Sequence, residues 1–252
     1  MTHFGYKTVP KDQKQQKVAS VFSSVAPSYD IMNDVMSLGI HRSWKDQLIS
    51  RLGPTLETRL IDVAGGTGDI GLRFLKAGGG NVTILDINPD MLEIGRQKAS
   101  ELCIDGIILY KFLENRLSFL EGNAQDLKGV TDNSFDAYTI AFGIRNCTDI
   151  DLVLKEAYRV LKPGGRLLVL EFSKVSNPLV KSIYDWYSFS VIPKMGEKIA
   201  KDKDSYQYLV ESIRKFPEQE VFAQMIQEAG FKSITFENLT LGVAAIHSGF
   251  KL

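Results

Sequence analysis

The feature that most constrains the fold is a short apolar run that leads into a glycine-rich turn, Arg59-Leu-Ile-Asp-Val-Ala-Gly-Gly-Thr-Gly-Asp69. The apolar run is typical of a strand that is buried on both faces, and the apolar spacing after Asp69 predicts a helix. Gly65, Gly66 and Gly68 lack a Cβ atom, so a ligand can approach the backbone closely. The stretch therefore predicts a strand, loop and helix that bind a nucleoside-containing ligand.

The spacing of Gly66, Gly68 and Gly71 also matches the G-x-G-x-x-G pattern of dinucleotide-binding loops. A pyrophosphate needs the positive end of the helix, and Asp69 in the first turn would repel it. Asp62 adds a second negative charge before the turn. These carboxylates favour S-adenosylmethionine, which carries a positive sulfonium and a positive ammonium group. A glycine turn that merely connects a strand to a helix is the alternative without a ligand.

The composition argues against several classes of function. Lys plus Arg equals Asp plus Glu at 30 each, so no net field attracts nucleic acid. The two cysteines and three histidines are scattered, which predicts neither a disulfide framework nor a metal site and favours a reducing compartment. No window reaches the ~18 apolar residues of a membrane span. The first residues resemble neither a presequence nor a signal peptide, so we expect any presequence to be absent or removed.

The strands predicted after the glycine loop alternate with helices. The second strand, 81–86, ends on Asp86, which follows Gly68 by 18 residues and is suited to bind a ribose diol. The third, 117–121, leads into Gly122-Asn-Ala-Gln-Asp126, where Asn123 could meet an adenine edge. The pattern predicts an α/β fold with a doubly wound sheet. The remaining predicted elements are an insertion around 105–115, strands at 134–142 and 166–172 around a helix at 151–161 and a turn at 162–165, a helix near 217–229, and a hairpin of 233–238 with 243–248.

Polar side chains follow the fourth strand, where an open parallel sheet binds its ligands. Arg145, Asn146 and Asp149 are therefore candidates for the chemistry. Upstream, we predict helices from Lys11 and from His41 to Leu52. Tyr29 and Asp30 lie between them and are candidates for the mouth of the site.

Aromatic residues are dense between 173 and 217, including Trp186 and Tyr187. This segment is predicted to be either a lid over an apolar ligand or a membrane-facing patch, and the equal alternative is a helix packed in the core.

Four blocks of sequence together resemble a known family. They are Asp-Val-Ala-Gly-Gly-Thr-Gly-Asp from Asp62, Phe-Gly-Ile-Arg-Asn from Phe142, Arg-Val-Leu-Lys-Pro-Gly-Gly-Arg from Arg159, and Ser-Tyr-Gln-Tyr-Leu-Val-Glu-Ser-Ile-Arg from Ser205. The chain is similar over nearly its whole length to the C-methyltransferases of ubiquinone and menaquinone biosynthesis, most of all to their mitochondrial ubiquinone branch. It departs from the family pattern around Asp105 to Asn115 and at Leu127-Lys-Gly-Val130.

The resemblance implies a seven-stranded, mostly parallel sheet that binds S-adenosylmethionine, and methylation of a ring carbon on a polyprenylated 2-methoxy-benzoquinol. It implies one methyltransferase domain over 1–252, with an N-terminal helical cap (1–54), a cofactor-binding core (55–172), a substrate lid (173–217) and a last helix with strands (218–252). It also implies a place on the mitochondrial inner membrane, facing the matrix, in a complex with other ubiquinone-biosynthesis enzymes, and it leaves a homodimer open. The residues expected at the cofactor are Asp62, Gly65, Gly66, Thr67, Gly68, Asp86, Ile87, Asn123 and Ala124.

For the reaction itself, we hypothesise that Arg145 holds an ionised ring hydroxyl by charge-assisted hydrogen bonds. The alternative is that Arg145 pairs with Asp149 and only fixes the loop. Water, Asp30, Asp149 or His41 could accept the ring proton. Two competing functions remain at this point, an NAD-dependent dehydrogenase and a non-catalytic scaffold.

Overall fold

The computed structural model describes residues 1–25, 31, 33–34, 37–104, 115–175, 182, 184–192, 194 and 203–252. Tyr29 and Asp30, predicted at the mouth of the site, lie outside the described residues, as does most of the predicted insertion at 105–115.

A seven-stranded sheet forms the centre of the fold, and a two-stranded hairpin precedes it in the sequence. In the central sheet the strand order is β5-β4-β3-β6-β7-β9-β8. Strands β3 to β7 are parallel, whereas β9 runs antiparallel to both β7 and β8. The predicted α/β fold with a mostly parallel sheet is thus confirmed. The strands are β1 (Thr2–Phe4), β2 (Lys7–Val9), β3 (Arg59–Val63), β4 (Asn81–Asp86), β5 (Leu117–Glu121), β6 (Phe135–Ala141), β7 (Leu161–Phe172), β8 (Lys232–Leu239) and β9 (Ala244–Phe250).

Helices cover both faces of this sheet, as the near-continuous apolar run of β3 requires. Leu60 packs into the cluster that contains Trp44 and Phe74, while its neighbour Ile61 points to the opposite face and packs with Val153. Leu60 and Ile61 are fully buried, and each burial is worth ~1.5–3 kcal/mol. The described α-helices are α1 (Lys11–Val25), α2 (His41–Leu52), α3 (Asp69–Lys76), α4 (Pro89–Ile104), α5 (Ile150–Val160), α6 (Lys203–Lys215) and α7 (Gln219–Glu228).

The carboxyl ends of the parallel strands meet at one edge of the sheet, and main-chain hydrogen bonds fix the loops that leave it. The Gly65 N–H donates to Leu85 O at 3.0 Å, and the Gly122 N–H donates to Asp86 O at 2.9 Å. On the other side, the Phe142 N–H donates to Leu170 O at 2.8 Å. The loops after β3, β4, β5 and β6 are therefore held next to one another.

Two local features differ from the sequence prediction. The N-terminal hairpin β1–β2 was not predicted; Phe4 in this hairpin stacks on Tyr208 of α6 with ring centroids 4.2 Å apart. The turn predicted at 162–165 lies within β7, where the pairing with β6 jumps from Leu161 to Arg166. The pairing between β6 and β7 is therefore irregular across this segment.

The aromatic segment has both exposed and buried members. Trp186 is 64% exposed and Phe189 is 38% exposed, whereas Tyr206 and Tyr208 on α6 are buried in the core. The described part of this segment therefore includes core packing, whereas a lid or a membrane contact stays a prediction. Among the helices of the described residues, none combines the length and the apolar character needed to cross a membrane.

Candidate functional site

The glycine loop between β3 and α3 turns sharply and is tied to the end of β4. Gly66 and Gly68 have φ values of 55° and 83°, which favour glycine. A Cβ atom at Gly65 would lie 2.8 Å from Asp62 Oδ2, closer than real contacts allow. The Gly66 N–H donates to Asp86 Oδ2 at 2.8 Å, so this carboxylate fixes the loop.

A cavity opens at the carboxyl edge of the sheet, beneath α1, and its empty space together with the open solvent at its mouth amounts to about 770 Å³. The ends of β4, β5 and β6 supply its floor, and α1 supplies an apolar wall. Its lining residues are Gln15, Val18, Ala19, Phe22, Ala64, Gly66, Leu85, Asp86, Ile87, Asn88, Met91, Gly122, Asn123, Ala124, Gln125, Phe142, Gly143, Asn146, Cys147 and Thr148. We call it the main cavity.

Five of the residues predicted to bind the cofactor line the main cavity together: Gly66, Asp86, Ile87, Asn123 and Ala124. Burial raises the pKa of Asp86, although the Asn88 and Gly66 N–H groups oppose the shift. Each carboxylate oxygen already accepts one backbone N–H, from Asn88 at 2.9 Å and from Gly66 at 2.8 Å. The Ile87 N–H also approaches this carboxylate, and because a carboxylate offers about four acceptor positions, Asp86 can still accept from a ribose hydroxyl.

Three of the other predicted cofactor residues line a smaller hollow across the glycine loop. Asp62, Gly65 and Thr67 line it together with Lys45 and Asp69. The Thr67 hydroxyl accepts from Lys98 Nζ at 3.0 Å. Gly68 lines neither cavity and instead forms the N-cap of α3.

Asp62 lies at this smaller hollow with an unsatisfied carboxylate oxygen. Its side chain is fully buried, and Oδ1 accepts from the Thr139 hydroxyl at 2.8 Å. Oδ2 has no hydrogen-bond partner among the described residues, although the Gly71 N–H approaches the carboxylate and opposes the rise in its pKa. Burial raises the pKa of Asp62 to about 7. A buried, unpaired oxygen of this kind suits an ammonium group, so the residues present fit S-adenosylmethionine, with its nucleoside in the main cavity.

Asp69 does not act as the free negative charge that the sequence suggested. Its carboxylate lies 2.7 Å from Lys45 Nζ and 2.8 Å from Arg73 Nε. Burial would raise the pKa of Asp69, but Lys45 and Arg73 lower it to about 2. The reason given for excluding a pyrophosphate, a free negative charge at Asp69, was therefore wrong, because two cations balance this carboxylate.

Arg145 and Asn146 occupy a 3₁₀ turn after β6, yet they face different surroundings. Asn146 lines the main cavity, whereas Arg145 does not. Arg145 Nη1 lies 2.7 Å from Glu171 Oε1 and 2.5 Å from Phe142 O, and both charged side chains are almost fully buried. Burial raises the pKa of Glu171, and the charge of Arg145 opposes this shift. The alternative that Arg145 pairs with Asp149 is wrong, since its partner is Glu171.

The other candidates for proton transfer, Asp149 and His41, differ in how far their side chains are already paired. Asp149 forms the N-cap of α5, accepts from the Leu152 N–H at 3.4 Å, and pairs with Lys11 at 3.2 Å. Neither Asp149 nor His41 lines the main cavity. His41 Nε2 lies 2.9 Å from Asp34 Oδ1, and His41 Nδ1 has no partner among the described residues.

Sequence reasoning missed two contributors to the site. Glu171 is the single acid in the apolar run of β7, which was a usable signal for a buried ion pair. Tyr208 donates to Asn146 Oδ1 at 3.0 Å. Within the described ranges, no group of three or more His, Cys, Asp or Glu side chains could hold a metal ion.

Comparison with known proteins gives one family over almost the entire chain. The model of the ubiE/COQ5 methyltransferase family matches residues 10–251. The chain is 56% identical over 252 residues to the ubiquinone/menaquinone biosynthesis C-methyltransferase UbiE of Dinoroseobacter shibae, covering all of this chain and 97% of that protein. It is 53% identical over 281 residues to the mitochondrial 2-methoxy-6-polyprenyl-1,4-benzoquinol methylase of Dictyostelium discoideum, covering 100% and 86%. The Bos taurus protein of that name is 51% identical over 286 residues, covering 100% and 84%.

Solved structures share the fold at low sequence identity. A SAM-dependent methyltransferase from Thermotoga maritima has a TM-score of 0.64 and 21% identity, covering 93% of this chain and 100% of that one. Phosphoethanolamine N-methyltransferase 2 of Haemonchus contortus, in complex with phosphomonomethylethanolamine and S-adenosylhomocysteine, has a TM-score of 0.60 and 16% identity, covering 83% and 52%. These two structures bear on the fold alone.

Proposed function

The chain belongs to the ubiE/COQ5 methyltransferase family, and from this membership we propose that it methylates a ring carbon of a polyprenylated 2-methoxy-1,4-benzoquinol in ubiquinone biosynthesis. The observation that carries the proposal is the identity of 51% to 56% with relatives named for this chemistry, over the full length of the chain. The methyl donor is S-adenosylmethionine, which supplies an electrophilic methyl group when bound.

We propose that Asp86 accepts from the ribose hydroxyls and that Asn123 and Ala124 contact the adenine. Asp62 would hold the ammonium group through Oδ2, the oxygen without a described partner. Gly65, Gly66, Thr67, Gly68 and Ile87 would complete the binding loop by shape and by backbone contacts. In this arrangement the chain binds and orients the donor, which is most of what a methyl transfer requires.

The nucleophilic ring carbon needs a ring oxygen that bears negative charge, and we propose that Asn146 stabilises this oxygen. Asn146 is the polar side chain of the 3₁₀ turn that lines the main cavity. The Arg145 guanidinium is bound to Glu171 and to Phe142 O, so we assign it to holding the turn in place. A fixed donor stabilises a developing oxyanion more than a mobile donor does, because it needs no reorganisation during the reaction.

We propose that the ring proton reaches His41 after transfer through a water molecule of the main cavity, because His41 itself does not line that cavity. Because the Asp34 carboxylate only accepts, Nε2 of His41 carries the hydrogen and Nδ1 keeps a lone pair. Burial and the charge of Lys45 lower the pKa of His41, so its ring is neutral at physiological pH and keeps a lone pair, while the same burial weakens it as a base. Loss of the proton from the methylated carbon restores the aromatic ring. Asp149 is less suited, since Leu152 and Lys11 already occupy its carboxylate. Tyr29 and Asp30 remain candidates for contact with the ring.

We further propose that the protein acts in the mitochondrial matrix, on the inner membrane, in a complex with other ubiquinone-biosynthesis enzymes. The relatives from Dictyostelium discoideum and Bos taurus are named as mitochondrial, which supports the compartment. The exposed Trp186 and Phe189 support contact with a lipid surface. Residues 1–54 would act as a cap over the cofactor, consistent with the α1 side chains in the main cavity, and 173–217 as a substrate lid. We also propose that the chain forms a homodimer.

The test is an anaerobic assay of the purified chain with S-adenosylmethionine and a short-tailed 2-methoxy-benzoquinol. The expected result is S-adenosylhomocysteine together with a quinol product that is heavier by one methylene group. The oxidised quinone is the matched control and is expected to remain unchanged, because its ring is not nucleophilic. Cofactor binding without turnover would favour the scaffold, and NAD reduction would favour the dehydrogenase. Either result would overturn the proposed function.

A further inference from the structure

Helix α6 contacts the 3₁₀ turn at both of its polar residues. The Tyr208 hydroxyl donates to Asn146 Oδ1 at 3.0 Å, and one helical turn later the Ser212 hydroxyl accepts from Arg145 Nε at 3.3 Å. Tyr208 and Ser212 are both buried. The turn that lines the main cavity is therefore held from outside the sheet by α6.

The hydrogen bonds around Asn146 define which end of its amide faces which neighbour. Asn146 Nδ2 lies 3.5 Å from Phe142 O, and a carbonyl oxygen can only accept. The NH₂ end of the amide therefore points toward Phe142, and Oδ1 meets the Tyr208 hydroxyl as an acceptor. One hydrogen of Nδ2 is directed at the carbonyl, so the second remains available on a side chain that lines the main cavity.

Tyr208 is itself fixed by the N-terminal hairpin. Its ring stacks on Phe4 at an interplanar angle of 17°. In the turn between β1 and β2, the Tyr6 N–H donates to Glu211 Oε2 of the same helix at 2.9 Å. The hairpin thus holds α6 by an aromatic stack and by a main-chain hydrogen bond. A rigid support of this kind makes a donor effective, because small errors in orientation lower the rate steeply.

We propose that Tyr208 is a positioning residue for the methyl transfer: its hydroxyl holds the Asn146 amide so that an Nδ2 hydrogen points into the main cavity, toward the ring oxygen of the acceptor. This inference rests on the proposed function and adds to it the residue that orients the donor. Without the Tyr208 hydroxyl, the amide can rotate and present Oδ1, which would repel a ring oxygen that carries negative charge.

The experiment is a double-mutant cycle with Tyr208→Phe, Asn146→Ala and the two combined. Tyr208→Phe keeps the ring that stacks on Phe4 and removes only the hydroxyl. We expect its kcat to fall by roughly tenfold, a typical effect of one lost hydrogen bond at an active site. The affinity for S-adenosylhomocysteine should not change. In the Asn146→Ala background, Tyr208→Phe should have no further effect on kcat.

Tyr138→Phe is the matched control. The Tyr138 hydroxyl is fully buried and has no hydrogen-bond partner in the described part of the chain, so its removal should leave kcat unchanged. Asn146→Asp gives a second test that does not depend on Tyr208→Phe folding, because the carboxylate still accepts from Tyr208 but offers no N–H. Its kcat should fall as far as that of Asn146→Ala.

Three results would overturn the inference. They are a wild-type kcat for Tyr208→Phe, an equal loss from Tyr208→Phe with and without the Asn146 side chain, and a wild-type kcat for Asn146→Asp. A wild-type protein that binds S-adenosylhomocysteine but methylates no quinol would instead overturn the proposed function, and the inference with it.

Discussion

Replacing Asp62 with asparagine removes a buried carboxyl whose cost to the folded protein depends on pH. Burial raises its pKa from 3.8 to about 7, so the folded protein binds this proton more tightly than the unfolded chain does. The stability that the folded protein gains by binding this proton is fully present below about pH 4 and is lost as the pH rises through about 7. At ~1.4 kcal/mol for each pH unit, the ionised form costs the free protein about 4 kcal/mol.

We therefore expect Asp62→Asn to raise the free energy of unfolding at about pH 8 by up to ~4 kcal/mol relative to the wild type, and by close to zero at about pH 4. Urea unfolding of the ligand-free proteins at both pH values measures this difference. A gain of the same size at both pH values would refute the reasoning, because it would not come from a titrating carboxyl.

The same carboxyl predicts proton release when the cofactor product binds. An ammonium group placed at Asp62 lowers its pKa from about 7, so near pH 6.5 a proton should leave part of the protein molecules when S-adenosylhomocysteine binds. Calorimetry in buffers with different ionisation enthalpies measures this proton release. Asp62→Asn should bind more weakly and release none from this site. Binding of wild type without proton release would contradict the assignment of Asp62.

Three further predictions concern other parts of the molecule. Glu171→Ala leaves a buried guanidinium without its counter-charge and should lower the free energy of unfolding by ~3–5 kcal/mol. The control Glu93→Gln, at an exposed ion pair, should lower it by under ~1 kcal/mol. Similar losses for the two variants in urea unfolding would count against a buried ion pair. His41→Gln should lower kcat about a hundredfold with unchanged S-adenosylhomocysteine affinity, and an unchanged kcat would exclude it as proton acceptor. Trp186→Ala with Phe189→Ala should weaken liposome flotation, while unaltered flotation would place the lipid contact elsewhere.

The fold could be predicted from the sequence because its signals are local. The apolar run of β3, the glycine turn after it and the acid at the end of β4 each lie within a few residues, and each reflects a backbone or burial requirement. The helix predicted from His41 to Leu52 is present with those bounds. The resemblance to the quinone C-methyltransferases is confirmed by the family match over residues 10–251.

The site was only partly predictable, because its decisive contacts join residues far apart in the chain. Arg145 and Glu171 are 26 residues apart, and Asn146 and Tyr208 are 62 apart. The compensation of Asp69 by Lys45 spans 24 residues. No local pattern encodes these pairs, so the sequence could name Arg145 and Asn146 as candidates but could not show which of them lines the main cavity. Their roles stay predictions.

The destination of the methyl group tests the proposed chemistry most directly. The purified chain would be incubated with S-adenosylmethionine bearing an isotopically labelled methyl group and with the reduced short-tailed 2-methoxy-benzoquinol, and the product would be analysed by NMR. We predict the label on a ring carbon, bonded carbon to carbon, with one S-adenosylhomocysteine formed for each labelled ring. Label found on a ring oxygen, or S-adenosylhomocysteine formed without labelled quinol, would contradict it.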